Sequence, residues 1–321
     1  MSRLRLPYRE DIGTLLRDCA PHPCGSLHWA SVRRRQRAVL GKLRRGLPSD
    51  RHGRQVVLLS PPQRRGNEIL KPKIVRRASL RAPKDIEPSL LASGLRCQAK
   101  LVTLPFVGAD RIRAADARHF RNLTDPLGPL AIGLNRTLLF RKRGESERHA
   151  LTVFDRTRPD GISAGPFRET ILMLNAAVAS ESQGWRAGDV GFEPDATGAS
   201  ILLPPASAIG PILGDLELAL KRYEWPPVCR AAVAAALLLN AHPFTDGNGR
   251  TARVLVNMIL RDCGMPSAAF IPLYELAQRS CGGFEIALRR TEILGDWGSI
   301  IAWLIHAIDA YAEIAGTPPS A

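Results

Sequence analysis

Apolar positions keep a helical rhythm in the second half of this chain and no clear rhythm in its first third. From Phe167 to Ser180 they recur at helical spacing until Gly184 breaks the pattern. Ala206 to Trp225 and Pro226 to Ala241 predict two further helices. The second is almost entirely apolar, so it is expected to be buried on every side. Val254 to Leu260 predicts another. Between these helices, Asp189 to Pro205 is rich in Gly and Pro, and Ser200-Ile-Leu-Leu predicts one short strand closed by Pro204 and Pro205. The expected fold class is mainly α with a small β element.

Residues 101 to about 164 mix short apolar runs (Leu101 to Val107, Leu127 to Leu134, Thr137 to Phe140) with turn residues, and predict a few short elements packed on the helices after them. Charge divides the chain more sharply than hydropathy does. The net charge is +15, yet residues 1–100 hold 23 Lys and Arg against 7 Asp and Glu, and residues 101–321 hold 22 against 23. The expected organisation is a basic, Arg- and Pro-rich arm over 1–100, poorly ordered or accessory, and a catalytic domain over 101–321 with its core at 165–312. Ser31 to Arg45 predicts one basic amphipathic helix with a narrow apolar stripe, weakened by Gly41. Such an arm is either a solvated tail, a docking element for nucleic acid or an anionic surface, or a product of a start codon placed too far upstream.

Six cysteines show no repeating spacing and are read as reduced thiols, which points to a cytoplasmic protein, with delivery to another cell left open. Cys19, His22, Cys24 and His28 are zinc-type ligands crowded within ten residues, closer than usual ligand pairs, and a metal is not expected there. The start lacks a secretory apolar stretch, and the longest apolar run, Ala231 to Leu239, is far short of the roughly 20 residues that cross a bilayer. No membrane span is expected.

The chemistry concentrates in His242-Pro-Phe-Thr-Asp-Gly-Asn-Gly-Arg-Thr-Ala-Arg253. Pro243 disfavours the helical conformation at His242, so the buried helix should stop there. Gly247 and Gly249 open onto a helix start, whose free N–H groups and dipole suit a phosphate. Arg250 and Arg253, at i and i+3, project from one face, and two guanidiniums beside an amide cradle suit a polyphosphate. Asp246 supplies a hard anionic oxygen for a phosphate-bound Mg²⁺, unless it only caps the helix. His242 carries the imidazole suited to proton abstraction near neutral pH. Phe244 reads as core, as do Trp225, Trp297 and Trp303. Asn257 reads equally as a packing amide or as a partner of the arginine face.

This stretch resembles the signature of the Fic domain family, His-x-Phe-x-Asp/Glu-Gly-Asn-Gly-Arg-x-x-Arg, with every fixed position filled. Gly165-Pro-Phe-Arg168 resembles the segment that opens the family's core, and Ile201-Leu-Leu-Pro-Pro205 its flap. Leu255 to Pro266, and Asp296-Trp297 with Trp303, resemble its later helices. The likeness covers about Gly165 to Ala312. It implies a Fic-type helical bundle with a small β-hairpin flap, acting as a protein adenylyltransferase that moves AMP from ATP to a Ser, Thr or Tyr hydroxyl. Carried over by position, His242 would deprotonate the target, and Asp246 would hold Mg²⁺. Gly247, Asn248 and Gly249 would form the anion hole, while Arg250 and Arg253 would hold the β- and γ-phosphates. Ile201, Leu202 and Leu203 would pair with an extended segment of a protein substrate.

Two departures stand out. Many members carry an inhibitory Ser/Thr-x-x-x-Glu-Gly/Asn motif whose Glu pairs with the second arginine, and no Glu here has Ser or Thr four residues before it. Restraint would then come from a separate inhibitory partner, or be absent. Phe284 stands where members often carry Tyr. Two alternatives remain: the same fold transferring another nucleotide or phosphate-containing group, and a basic nucleic-acid-binding protein acting through its arm.

Overall fold

A computed structural model of the chain describes residues 3–4, 74–125, 143–157, 166–179, 184–192 and 200–316. The arm helix expected over Ser31 to Arg45, the Cys19–His28 group and the apolar runs at 127–134 and 137–140 lie outside these residues.

Ten α-helices are built from them: α1 Pro88–Leu101, α2 Ala109–Ala114, α3 Arg143–Thr157, α4 Phe167–Val178, α5 Ile209–Leu220, α6 Pro227–Ala241, α7 Asn248–Arg261, α8 Leu273–Arg279, α9 Gly283–Leu294 and α10 Trp297–Gly316. The fold is mostly helical, as the apolar spacing predicts. Helix α6 is the hub. Val228, Ala231, Val233, Ala234, Leu237 and Leu238 are all buried, so the helix packs against α1, α5, α7 and α10 at once. Its small side chains allow that close approach. A Cβ added to Gly94 of α1 would fall 2.9 Å from the Cys229 Sγ of α6.

The two helices expected over Ala206–Trp225 and Pro226–Ala241 are present with shifted ends. The first begins as a 3₁₀ turn at Ala206–Ala208 and stops at Leu220. The residues from Lys221 to Trp225 form turns that carry the chain into Pro226. Helix α7 begins at Asn248, six residues before the apolar run that announces it, because its first turn is built from the polar motif itself.

Four short strands lie in the order β1-β3-β4-β2, with β1 Arg3–Leu4, β2 Ile74–Arg76, β3 Gly191–Phe192 and β4 Ser200–Leu202. Strands β3 and β4 are antiparallel with Gly191 opposite Leu202, whereas β1 pairs parallel with β3 and β2 parallel with β4. The strand read from Ser200-Ile-Leu-Leu is therefore present, and its partners came from elsewhere in the chain.

The boundary drawn from charge at residue 100 is not the packing boundary. Leu80, Ile86, Cys97 and Leu101 join the same apolar core as α6 and α10. The reason is that α1 buries one face against α6 and α10 while its basic residues stay outside. Among the described residues, α10 is long and apolar enough to cross a bilayer, and it packs against α1, α6 and α9 through Ile301, Trp303, Leu304 and Ile308. Cys97, Cys229, Cys263 and Cys281 are free thiols, and burial pushes the Cys97 and Cys229 pKa up to about 12, leaving them unreactive.

Candidate active site

The loop between α6 and α7 is held by its own side chains. His242 ends α6 in the left-handed conformation, with φ 45° and ψ 57°, and its N–H closes the helix on the Leu238 carbonyl. The helix thus stops where Pro243 requires, though by a left-handed cap and not the extended form expected before proline. Asn248 then locks the loop from inside. Its Oδ1 accepts the Phe244 N–H at 3.0 Å and its Nδ2 donates to the Phe244 carbonyl at 2.8 Å. Phe244 itself is buried and stacks on Trp185 at 5.1 Å between ring centroids.

Gly247 precedes α7 with φ 83°, a left-handed backbone that disfavours any side chain. Space forbids one too, since an added Cβ would lie 2.6 Å from Asn175 Nδ2. That amide, on α4, donates to the Asp246 carbonyl at 2.9 Å and to Thr251 Oγ1 at 3.2 Å. The N–H groups of Asn248, Gly249 and Arg250 are the first of α7 and have no acceptor within the helix.

The two arginines of the motif have different partners. Arg250 pairs with Asp246 Oδ2 at 2.6 Å and donates to the Val178 carbonyl. Arg253 reaches a residue 106 positions earlier: its Nε lies 3.0 and 3.1 Å from the two oxygens of Glu147 on α3, and a second nitrogen joins the same carboxylate. Glu147 is fully buried. The Tyr274 ring covers Arg253, with its centroid 5.1 Å from the guanidinium carbon. Burial works against the charge of Arg253, but the Glu147 carboxylate outweighs it and the pKa ends above its ordinary value. A glutamate therefore does sit on the second arginine, outside any Ser/Thr-x-x-x-Glu pattern because Arg143 stands four residues before it.

His242 is half-buried, and burial pushes its pKa down to about 4. The charges of Arg186, Arg77 and Arg289 push the same way, against a backbone hydrogen bond at Leu239. At neutral pH the imidazole is thus uncharged, the state that can accept a proton.

Arg186 is the main contributor that sequence reading missed. It is 5% exposed and spends its guanidinium on four carbonyls: His242 at 2.7 Å, Gly188 at 2.8 Å, Pro204 at 2.6 Å and Ala241 at 3.1 Å. Its own N–H donates to the Pro243 carbonyl at 2.8 Å. One cation ties the end of α6 to the end of β4. Gly184-Trp185-Arg186 thus meets the motif loop together with α4, and Arg168 of the segment that opens α4 lies against Gly210. Asn257 resolves as a packing amide. It bridges both backbone groups of Ile271, accepting at 2.7 Å and donating at 3.1 Å. Glu147 and Asn175 carry no signal in the sequence, since only the packing of α3 and α4 brings them to the motif.

Ile201 and Leu202 lie in β4, and the Leu203 N–H donates to the Val190 carbonyl at 3.0 Å. Asp246 is a single, half-exposed carboxylate at the mouth of the amide cradle. The described residues hold no cluster of three or more metal-type ligands. That donor set fits Mg²⁺ carried by nucleotide phosphates, since the ion keeps several waters and needs one or two carboxylates.

With this geometry in view, comparison with known proteins places the fold. Residues 153–260 match the profile of the Fic/DOC family. A Fic family protein from Desulfovibrio desulfuricans has the same fold, with a TM-score of 0.50, 17% identity, and 72% of this chain and 75% of that chain covered. This chain carries a Fic domain. Protein adenylyltransferase fic-1 of Caenorhabditis elegans is 58% identical over 40 residues, spanning 12% of this chain and 8% of that protein. Protein adenylyltransferase Fic of Drosophila melanogaster is 44% identical over 68 residues, 18% of this chain and 14% of that protein. The chain thus matches only a small part of these relatives' length.

Proposed function

We propose that the Fic domain transfers AMP from ATP to a hydroxyl of a target protein. The observation that supports this best is the order of groups around one turn: a neutral imidazole at the end of α6, three helix-start N–H groups, a half-exposed carboxylate, then two arginines. The target's hydroxyl oxygen forms a bond to the α-phosphorus as the bond to the β-phosphate oxygen breaks. Pyrophosphate leaves, and His242 takes the hydroxyl proton. The N–H groups of Asn248 and Gly249 steady the phosphate oxygens, with Gly247 keeping that approach free of side chains. Arg250 holds outer phosphates, and Arg253 can do so once it shares or gives up Glu147. Asp246 would hold Mg²⁺, which supplies charge neutralisation on the phosphates when bound.

Incubation with a cell lysate and ATP labelled at the α or the γ position tests this reading. Label on protein from the α position alone supports adenylyl transfer. Label from the γ position alone favours the second reading, transfer of a different phosphate-containing group. Within the same proposal, basic residues 1–73 would bind nucleic acid or an anionic surface apart from catalysis, which salt-dependent binding that survives His242→Ala would reveal.

A further inference from the structure

The edge at which a target would add to β4 is already taken. Ile74–Arg76 runs parallel to it, with Ile74 opposite Ser200, Val75 opposite Ile201 and Arg76 opposite Leu202. The ladder continues one residue further, where the Arg77 N–H donates to the Leu202 carbonyl at 2.8 Å. The other edge of β4 pairs with β3. Side chains fix this register as much as backbone does. Arg76 pairs with Asp189 at 2.5 Å and donates to the Leu203 carbonyl at 3.3 Å. Arg77, on the opposite face of the strand as a period of two requires, turns inward to within 3.6 Å of Glu292.

The segment is then fastened beside the motif. Asn240, two residues before His242, donates to the Ala78 carbonyl at 3.2 Å and accepts the Leu80 N–H at 2.8 Å. Its amide also donates to Glu292 at 3.2 Å, the carboxylate that faces Arg77. The charge of Arg77 is close enough to His242 to lower the pKa of that ring. A strand, two acidic partners and a bracketing amide thus lead one extended segment from the flap toward the imidazole.

We propose that the outer edge of β4 is a docking site for an extended segment with two consecutive cations, running parallel to β4, and that Ile74–Arg77 is its resident occupant. The acidic partners Asp189 and Glu292 select the cations, and the carbonyls and N–H groups on that edge of β4, now bonded to the resident, supply the ladder. An incoming target segment competes with a tethered one, whose effective concentration is on the order of millimolar. This rests on the transferase reading only so far as the incoming segment is a substrate.

The test uses the full chain and a fluorescent peptide of residues 73–82. Wild-type protein is expected to show no binding at micromolar peptide, because the resident strand outcompetes it. Arg76→Asp with Arg77→Pro removes both ion pairs and the Leu202 ladder bond from the resident only, and is expected to bind the peptide at least tenfold more tightly than wild type. Arg76→Asp alone alters one exposed side chain and should give an intermediate gain, which guards against misfolding of the double variant. A peptide with the residues matching Arg76 and Arg77 changed to Glu should not bind either variant. Hydrogen exchange should show the amides of Arg77 and Leu80 protected in wild type, and that of Leu80 exposed in the double variant. Equal peptide affinity for all three proteins, or no protection at Arg77 in wild type, would overturn the proposal. Label transfer from α-labelled ATP is read separately. Its absence alongside arginine-dependent peptide binding refutes the transferase reading and leaves the docking edge standing.

Discussion

The two arginines of the motif are three residues apart on one helix face, yet they are held by opposite means. Arg250 closes a short circuit with Asp246, both partly in solvent. Arg253, no more exposed than Arg250, closes a long one with the fully buried Glu147 of another helix, beneath the Tyr274 ring. The lesson is that one half of the proposed phosphate grip is a local property of the loop, whereas the other takes its present form only with α3 docked. The local half can be read from twelve residues, and the distant half cannot.

Breaking the distant circuit should have the largest effect. Glu147→Ala leaves the half-buried Arg253 guanidinium without its carboxylate and opens a cavity where that carboxylate was buried, and the expected loss of folding stability is about 2–4 kcal/mol, read from urea unfolding. Glu147→Gln keeps the shape, and should raise ATP affinity if the carboxylate competes with outer phosphates. Affinity that is unchanged or lower would assign Glu147 a purely structural role. Gly247→Ala comes next, at about 2–4 kcal/mol, because a left-handed alanine is strained and its Cβ overlaps Asn175. Gly249→Ala in the same turn meets only the flexible end of Arg253 at 3.2 Å and should be tolerated. Asp246→Asn breaks the local circuit, and its stability effect should stay within about 1 kcal/mol while transfer activity falls. A stability loss matching that of Glu147→Ala would erase the contrast between the two arginines.

The pH dependence of stability sharpens the comparison through two groups with opposite signs. His242 is depressed to about 4 from 6.5, so its contribution is present above 6.5 and is lost as pH falls through 4. Glu275, beside Glu147 and Arg253, is raised to about 7 from 4.5 by burial, so its contribution is present below 4.5 and is lost as pH rises through 7. Stability measured between pH 4 and 7 should therefore lose opposite slopes in His242→Gln and in Glu275→Gln. Slopes of the same sign would refute the assignment.

The apolar spacing of α4, α5 and α6 made the helical core legible, and the motif loop was legible because its glycines, arginines and histidine are adjacent in sequence. Phe244 was correctly read as core, and Ser200–Leu202 as a strand. What stayed hidden depends on contacts between distant segments. Arg186 carries no periodic signal, because its role is to satisfy carbonyls that only the folded turn exposes. Averaging charge over a hundred positions places residues 74–100 in a basic arm. Leu80, Ile86 and Cys97 are too sparse to offset that average, yet all three are buried. A charge count reports the solvent face of a segment and says little about the face it buries.

The central claim is that a neutral His242, held at the end of α6, takes the proton as an adenylyl group is transferred. The most direct measurement compares wild-type protein with His242→Ala for two quantities, ATP affinity and the rate of label transfer from α-labelled ATP to protein. The account predicts equal affinity, with transfer present in wild type and abolished in the variant. Transfer that persists at the wild-type rate in His242→Ala would contradict it.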